Sequence, residues 1–318
     1  MILDFEKWHG AKNDFILLWL PDDQSLMTSL IRKAPELCSR EGDGIGADGI
    51  LVLTRSPHRQ ELLPERLTII NSDGSLAATC GNGIRCAALS VLKRHYEADE
   101  RVDIPEAFEL PLTQGQVVCR YLGRQDLAKK RVYWPHVSVD MGVPKIDDEH
   151  PWFEQTKDFV TAKAKEIGHN ELVDDWHLVD IGNHHLVFFL DEVSAELVRK
   201  IGPALQKSSI WDGINVHLAA PLAVEDKLRQ ASSQQLGQAV DELYEVFVWE
   251  RGAGETKACG SGACSVVKAA LAGGIVEKNQ WIACKMPGDI LYARQGEDDE
   301  PMTLAGPGAL AFWGQLEL

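Results

Sequence analysis

The sequence predicts an α+β protein of two similar domains, and three observations carry that prediction: a length of 318 residues, strand-like segments interrupted by few helices, and a motif that occurs twice. A chain this long exceeds what one hydrophobic core usually organises, so two domains are the default. Hydrophobic residues at 45% and charged residues at 25% are ordinary for a globular chain.

In chain order, β-branched and aromatic runs predict strands over residues 15–20, 50–53, 67–71, 116–121 and 131–139. The second half adds 176–181, 185–190, 214–219, 243–250, 281–286 and 309–316. Many of these are bounded by Gly, Pro, Asn or Asp, which form turns. Helices are expected over 23–38, 83–98, 194–206 and 262–272. Residues 225–242, rich in Gln, Ser and Ala, read as a helix or a long surface insertion. Strands interleaved with so few helices fit an α+β architecture better than a regularly alternating parallel sheet.

The net charge of −16 argues against nucleic acid as a partner, since phosphate binding needs a basic surface. The first residues carry no basic start and no long apolar stretch, so no signal peptide is expected. The longest apolar runs are too short to span a bilayer, and the expected location is the cytoplasm without membrane attachment. Seven cysteines, an odd number in a long chain, do not suggest a disulfide framework. Their spacing lacks the tight pairs of a zinc ribbon, and no metal is expected.

The informative feature is an internal echo. Ala78-Thr79-Cys80-Gly81-Asn82-Gly83 precedes a helical run of small residues, and Lys257-Ala258-Cys259-Gly260-Ser261-Gly262 does the same in the second half. A helix start leaves backbone N–H groups unpaired and carries partial positive charge. It therefore cradles carboxylates, and glycine lets a ligand approach the backbone. A cysteine there has its thiolate favoured by the same dipole. Two such motifs supply two acid–base groups and two anion cradles, brought to one cleft if the domains face each other. Inverting an amino-acid α-carbon needs this combination: a base on one face, an acid on the other, and donors for the charge that develops on the carboxylate. A lone cysteine beside glycines is ordinarily a small buried hydrophobe; a matched pair is not explained that way. Glycine-rich dinucleotide loops are the rival reading, but neither copy has the full Gly-x-Gly-x-x-Gly spacing.

Six blocks extend the pattern: Lys7-Trp8-His9-Gly10-Ala11-Lys12-Asn13-Asp14-Phe15, Gly46-Ala47-Asp48-Gly49, Asn71-Ser72-Asp73-Gly74-Ser75, Cys80-Gly81-Asn82-Gly83-Ile84-Arg85-Cys86, Gly182-Asn183-His184-His185, and Glu250 through Gly262. Together they resemble the diaminopimelate epimerase family over most of the chain. The resemblance implies two pseudo-symmetric domains, each a mostly antiparallel sheet wrapped around a central helix. The first would comprise residues 1–136 with 304–318, the second 137–303. It implies Cys80 and Cys259 as the acid–base pair, with no cofactor. The amides of Gly81, Asn82, Gly260 and Ser261, with Asn13, would hold the reacting carboxylate. Asn71, Asn183, Asn215, Glu250 and Arg251 would read the distal amino-acid head of the substrate, diaminopimelate. His185 and Glu250 would stand beside the reacting centre and help deprotonate a thiol. Cys38, Cys119 and Cys284 read as packing residues, and Cys86 and Cys264 as core-facing. The resemblance also admits a homodimer, although no interface is legible.

The chain departs from the family pattern at Lys12, where glycine is common, at His184 in place of proline, at Leu76 in place of glutamate, and at Gly213 in place of arginine. None of these touches the thiols; several bear on the distal end of the substrate. The alternatives are a sister racemase of the same fold acting on histidine or lysine, and a non-catalytic binding protein that kept the fold. Both thiols are present, which speaks against the binding protein.

Overall fold

The computed structural model describes residues 1–55, 63–98, 106–122, 136–222 and 226–318. The chain folds into two compact units, residues 1–139 with 306–318 and residues 140–305.

In the first unit β1 (Ile2–Gly10) turns back into antiparallel β2 (Asn13–Leu20). Next comes α1 (Gln24–Leu37), and β3 (Gly49–Thr54) returns parallel to β2. β4 (Arg66–Asn71) and β5 (Leu76–Ala77) add antiparallel, and α2 (Gly81–Ala98) opens directly after Cys80. β6 (Ala107–Pro111), β7 (Gln116–Leu122) and β8 (His136–Asp140) form an antiparallel meander.

The second unit repeats that order after a lead-in of β9 (Lys145–Ile146) and α3 (Phe153–Ile167). β10 (Trp176–Asp180) pairs antiparallel with β11 (His184–Phe189), and after α4 (Ala195–Gln206) β12 (Asn215–Pro221) runs parallel to β11. α5 (Asp226–Leu236) precedes β13 (Glu242–Glu250), antiparallel to β12, with β14 (Gly254–Thr256) paired on it. α6 (Gly260–Ala272) opens directly after Cys259. β15 (Ile282–Lys285), β16 (Ile290–Arg294) and β17 (Thr303–Gly306) complete the unit. The final strand, β18 (Ala309–Glu317), pairs with β1 in the first unit.

Strand alternation explains the layering. On β2, Ile16, Leu18 and Leu20 join Leu30, Ala34 and Leu37 of α1 in one core. Leu51 of β3 lies on the opposite face, against the start of α2 at Gly83. In the second unit Leu186 and Phe188 of β11 and Val216 and Leu218 of β12 pack with Val198, Ile201 and Leu205 of α4. The intervening residues His185, Asn215 and His217 therefore face away from α4. α6 packs against β10, β11, β12 and β16 and is buried almost all round. Its Gly, Ala, Cys, Ser and Val side chains suit that position, because small residues let a sheet wrap closely on every side. α1 and α4 are capped by side chains: the Asp23 carboxylate accepts from Ser25 N at 2.8 Å, and Ser194 Oγ accepts from Leu197 N at 3.1 Å.

The elements differ from expectation at identifiable places. β1 was not expected because Asp4, Glu6 and Lys7 interrupt its apolar residues; Lys7 is nonetheless buried, ion-paired to Asp14 at 2.6 Å. α3 fully buries only Thr156, Val160 and Ala164, with Phe153, Phe159 and Ile167 packed half-buried on the same core, a stripe that the charged residues between them obscure in the sequence. The short strands β6, β9, β14, β16 and β17 were also not expected; each is held by its sheet partner rather than by its own composition. The stretch over 225–242 contains the helix α5. Both 225 and 131–135, the start of an expected strand, lie outside the described residues. Both central helices begin two residues earlier than expected, so the Gly-polar-Gly residues form their first turn. Among the described residues, no helix is long and apolar enough to cross a membrane.

The β1–β2 turn consists of Ala11 and Lys12, both left-handed at φ 53° and 69°. Only glycine occupies that region without steric cost. Lys12→Gly is therefore expected to stabilise the protein by about 1 kcal/mol, read as a raised urea midpoint at unchanged slope. A lowered midpoint would show that the lysine side chain contributes more than its backbone strain costs.

Candidate active site

In the first unit the predicted residues gather around the start of α2. Cys80 stands just before the helix, half-buried, and Gly83 N donates to its Sγ at 3.4 Å. A Cβ on Gly83 would come within 2.9 Å of Leu51, so the close approach of β3 to the helix start accounts for glycine there. Asn82 Nδ2 donates to Asn13 Oδ1 at 3.2 Å, while Asn82 Oδ1 accepts from Arg85 at 2.7 Å. Asn13 Nδ2 in turn donates to Asp48 at 2.6 Å. Behind Asn13, Arg40 bridges Asp14 and Asp48. Burial alone would raise the Asp14 carboxyl, but Arg40 and Lys7 outweigh it and hold that group below the usual carboxylate range. This scaffold orients Asn13 beside the first-turn amides of Gly81 and Asn82. Asn71, at the end of β4, is exposed and donates to Ser75 Oγ at 2.9 Å within its turn. Leu76, which follows that turn, is exposed.

In the second unit Cys259 caps α6: its Sγ accepts from Gly262 N at 3.3 Å and lies 3.5 Å from Ser261 Oγ, while its own N–H meets Met286 Sδ at 3.3 Å. Burial pushes this thiol well above its ordinary range and the Glu250 carboxylate adds to the rise, against hydrogen bonds from Ser261 and Gly262. Desolvation thus outweighs the hydrogen bonds by which the helix start favours the thiolate. Cys259 rests as a thiol, hydrogen-bonded to Glu250, at the end of β13. Thr256 Oγ1 also donates to Glu250, and Gln206 holds the Glu250 carbonyl at 2.7 Å. Asn215 Oδ1 accepts from Arg251 N at 3.0 Å, and Asn215 Nδ2 donates to the His184 carbonyl at 3.2 Å. The Arg251 stem lies over Gly213, where a Cβ would fall 2.7 Å from Arg251 Cγ; this accounts for glycine there.

His185 is fully buried between two partners: Asn183 Oδ1 at 3.0 Å from Nε2 and His217 Nε2 at 2.7 Å from Nδ1. Burial, then the His217 and His184 rings and Arg251, hold His185 well below its ordinary value, so it is neutral near pH 7. His217 had no place in the sequence reading. Its signal was there: strand alternation puts it on the same face as Asn215, in the middle of a buried strand.

His184 turns its side chain away from this cluster, onto Asp147 at 2.9 Å and against the rings of His150 and Trp152. Ligand atoms of Asp147, His150 and His184 lie within 4.8 Å of one another. However, His150 Nδ1 accepts the Trp152 N–H at 3.1 Å, which leaves the proton on Nε2, the nitrogen a metal would otherwise take. The other five cysteines are buried. Burial raises Cys38 to about 11 and Cys86 and Cys284 to about 12.

The predicted residues thus form two clusters, one per unit. The profile of the diaminopimelate epimerase family matches residues 5–109 and 177–307. Diaminopimelate epimerases from Gloeothece citriformis and Chromobacterium violaceum are 28% and 30% identical to this chain, each over 100% of both sequences. Among solved structures, a Bacillus anthracis phenazine biosynthesis protein of the PhzF family superposes with a TM-score of 0.65 at 10% identity, over 100% of both chains. A hydroxyproline epimerase from Agrobacterium vitis gives 0.59 at 13% identity, over 99% of this chain and 91% of that one. These two likenesses establish the fold of two units, each with a sheet around a central helix. With the family's profile matching both halves, and each half opening its central helix on a cysteine, the chain belongs to the diaminopimelate epimerase family, a family of isomerases.

Proposed function

We propose that the protein interconverts LL- and meso-diaminopimelate without a cofactor, using Cys80 and Cys259 as the acid–base pair at the α-carbon. The observation that carries this reading is the repeated one: in two units of the same element order, a cysteine stands immediately before the central helix with its sulfur accepting a first-turn N–H. The full-length relatives named diaminopimelate epimerase support the substrate.

The chemistry follows from the groups at hand. The α-proton is weakly acidic, and the carbanion is stabilised through its carboxylate. First-turn amides of Gly81 and Asn82, and of Gly260 and Ser261, with Asn13, supply donors for that charge. Cys259 rests protonated and is the acid in one direction. In the other direction Glu250 takes its proton, and the thiolate becomes the base. His185, neutral and buried, assists at the reacting centre. Arg251 forks onto the distal carboxylate, while Glu250, Asn71, Asn183 and Asn215 read the distal ammonium.

The test is proton NMR in D2O with LL-diaminopimelate and no added cofactor. Loss of the α-hydrogen signal with appearance of the meso isomer is expected. Exchange in histidine or lysine instead would keep the two-thiol mechanism and reassign the substrate; no exchange in any of the three would overturn the reading.

A further inference from the structure

We propose that His217 is a positioning residue that holds the ring of His185 in place by donating to its Nδ1, while Asn183 keeps the proton on His185 Nε2. The inference rests on the reading above, in which His185 serves the reaction.

Two imidazoles joined by one hydrogen bond allow few proton arrangements, because one ring must donate and the other accept. His185 Nδ1 lies 2.7 Å from His217 Nε2, and His185 Nε2 lies 3.0 Å from Asn183 Oδ1, an acceptor. The acceptor on Nε2 selects the tautomer with its proton there. Nδ1 is then bare, and His217 Nε2–H must donate to it. His217 Nδ1 is bare in turn, and it has no partner among the described residues. Both rings are fully buried, so water does not complete the arrangement. In this arrangement Nδ1 accepts from His217 and Nε2 carries the proton, so His185 acts with a proton to give on Nε2 rather than as a free base.

The position of the His217 ring is also constrained from behind. A Cβ on Gly262 would lie 2.2 Å from its Cε1 and 2.8 Å from its Nδ1. The ring thus sits against the first turn of α6, where the Gly262 N–H meets the Cys259 sulfur. One side chain links the orientation of His185 to the helix start that holds the second thiol. A buried acceptor without a partner costs stability, so stability is not what His217 supplies.

The experiment uses the full chain with 15N-labelled histidine at pH 8. Long-range proton–nitrogen spectra are expected to show His185 protonated at Nε2 and bare at Nδ1, assigned by loss of its signals in His185→Gln. In His217→Leu the bare His185 Nδ1 should lose its hydrogen bond, read as a shift of that nitrogen's signal, and kcat for diaminopimelate epimerisation should fall about 10- to 100-fold with KM unchanged. His217→Gln, which keeps a donor near the Nε2 position, should recover most of that loss, and its thermal midpoint should match the wild type. A wild-type His185 protonated at Nδ1, or an unchanged kcat in His217→Leu, overturns the role of His217. If the wild type does not turn over diaminopimelate, the functional reading falls instead, and the spectra alone decide the tautomer.

Discussion

Cys259→Ser is expected to lower kcat for epimerisation by about 10²- to 10⁴-fold without loss of stability, and Cys80→Ser to do the same. The two effects separate because the cysteine has two roles. As the cap of α6 it accepts the Gly262 N–H, and a serine hydroxyl is a good acceptor in that position. As an acid–base group it depends on the thiol, whose ordinary acidity lies far closer to neutrality than that of an alcohol. The Glu250 carboxylate beside Cys259 cannot make serine equivalent. Each variant keeps a base on one face of the substrate only. Residual α-hydrogen exchange in D2O should therefore be confined to one stereoisomer, a different one for each variant. Near-normal turnover in either protein, or equal residual exchange from both isomers, would exclude the two-thiol assignment.

The second large effect is acid sensitivity of the fold. Burial lowers His217 from its ordinary 6.5 to about 3, and lowers His185 in the same direction. Below pH 6.5 the unfolded chain binds protons that the folded chain refuses. Stability from these two groups is thus fully present above 6.5 and is lost as pH falls toward 3. For His217 the loss is about 1.4 kcal/mol per pH unit, or about 5 kcal/mol over the whole window. That is comparable to the total stability of many domains. Urea midpoints at pH 7.5, 6 and 5 should fall steeply in the wild type and less steeply in His217→Gln, in which only His185 remains. An identical pH dependence in the two proteins would show that His217 titrates normally. Asp14, held below the usual carboxylate range, adds its own loss only as pH falls below 3.8, so it plays no part between pH 7.5 and 5.

The site was more legible than the fold around it. The Cys-Gly-polar-Gly repeats could be read because function demands a short contiguous pattern: sulfur, amides and close approach all come from one helix start. The strands β2, β3, β4, β11, β12 and β13 were visible because their apolar runs have turns at both ends. β1 was not, since Lys7 appears as a surface charge until Asp14 is found beside it. α3 was not, because its fully buried residues are only Thr156, Val160 and Ala164, and the larger Phe153, Phe159 and Ile167 are half-exposed among charged neighbours.

By itself the sequence determined the class of fold, the repeated helix starts, the two thiols and the family, because each of these rests on residue type at fixed local spacing. Tertiary structure alone decided the state of those groups. That Cys259 rests as a thiol depends on burial and on Glu250, which reaches it from β13. That His185 stays neutral depends first on burial and then on His217, which comes from the neighbouring parallel strand. Glycine at 213 and 262 became intelligible only once Arg251 and His217 were seen to occupy the space a side chain would need. Spacing along a chain specifies which groups are available; their protonation and orientation depend on solvent exclusion and on partners distant in sequence, and only folding brings these together.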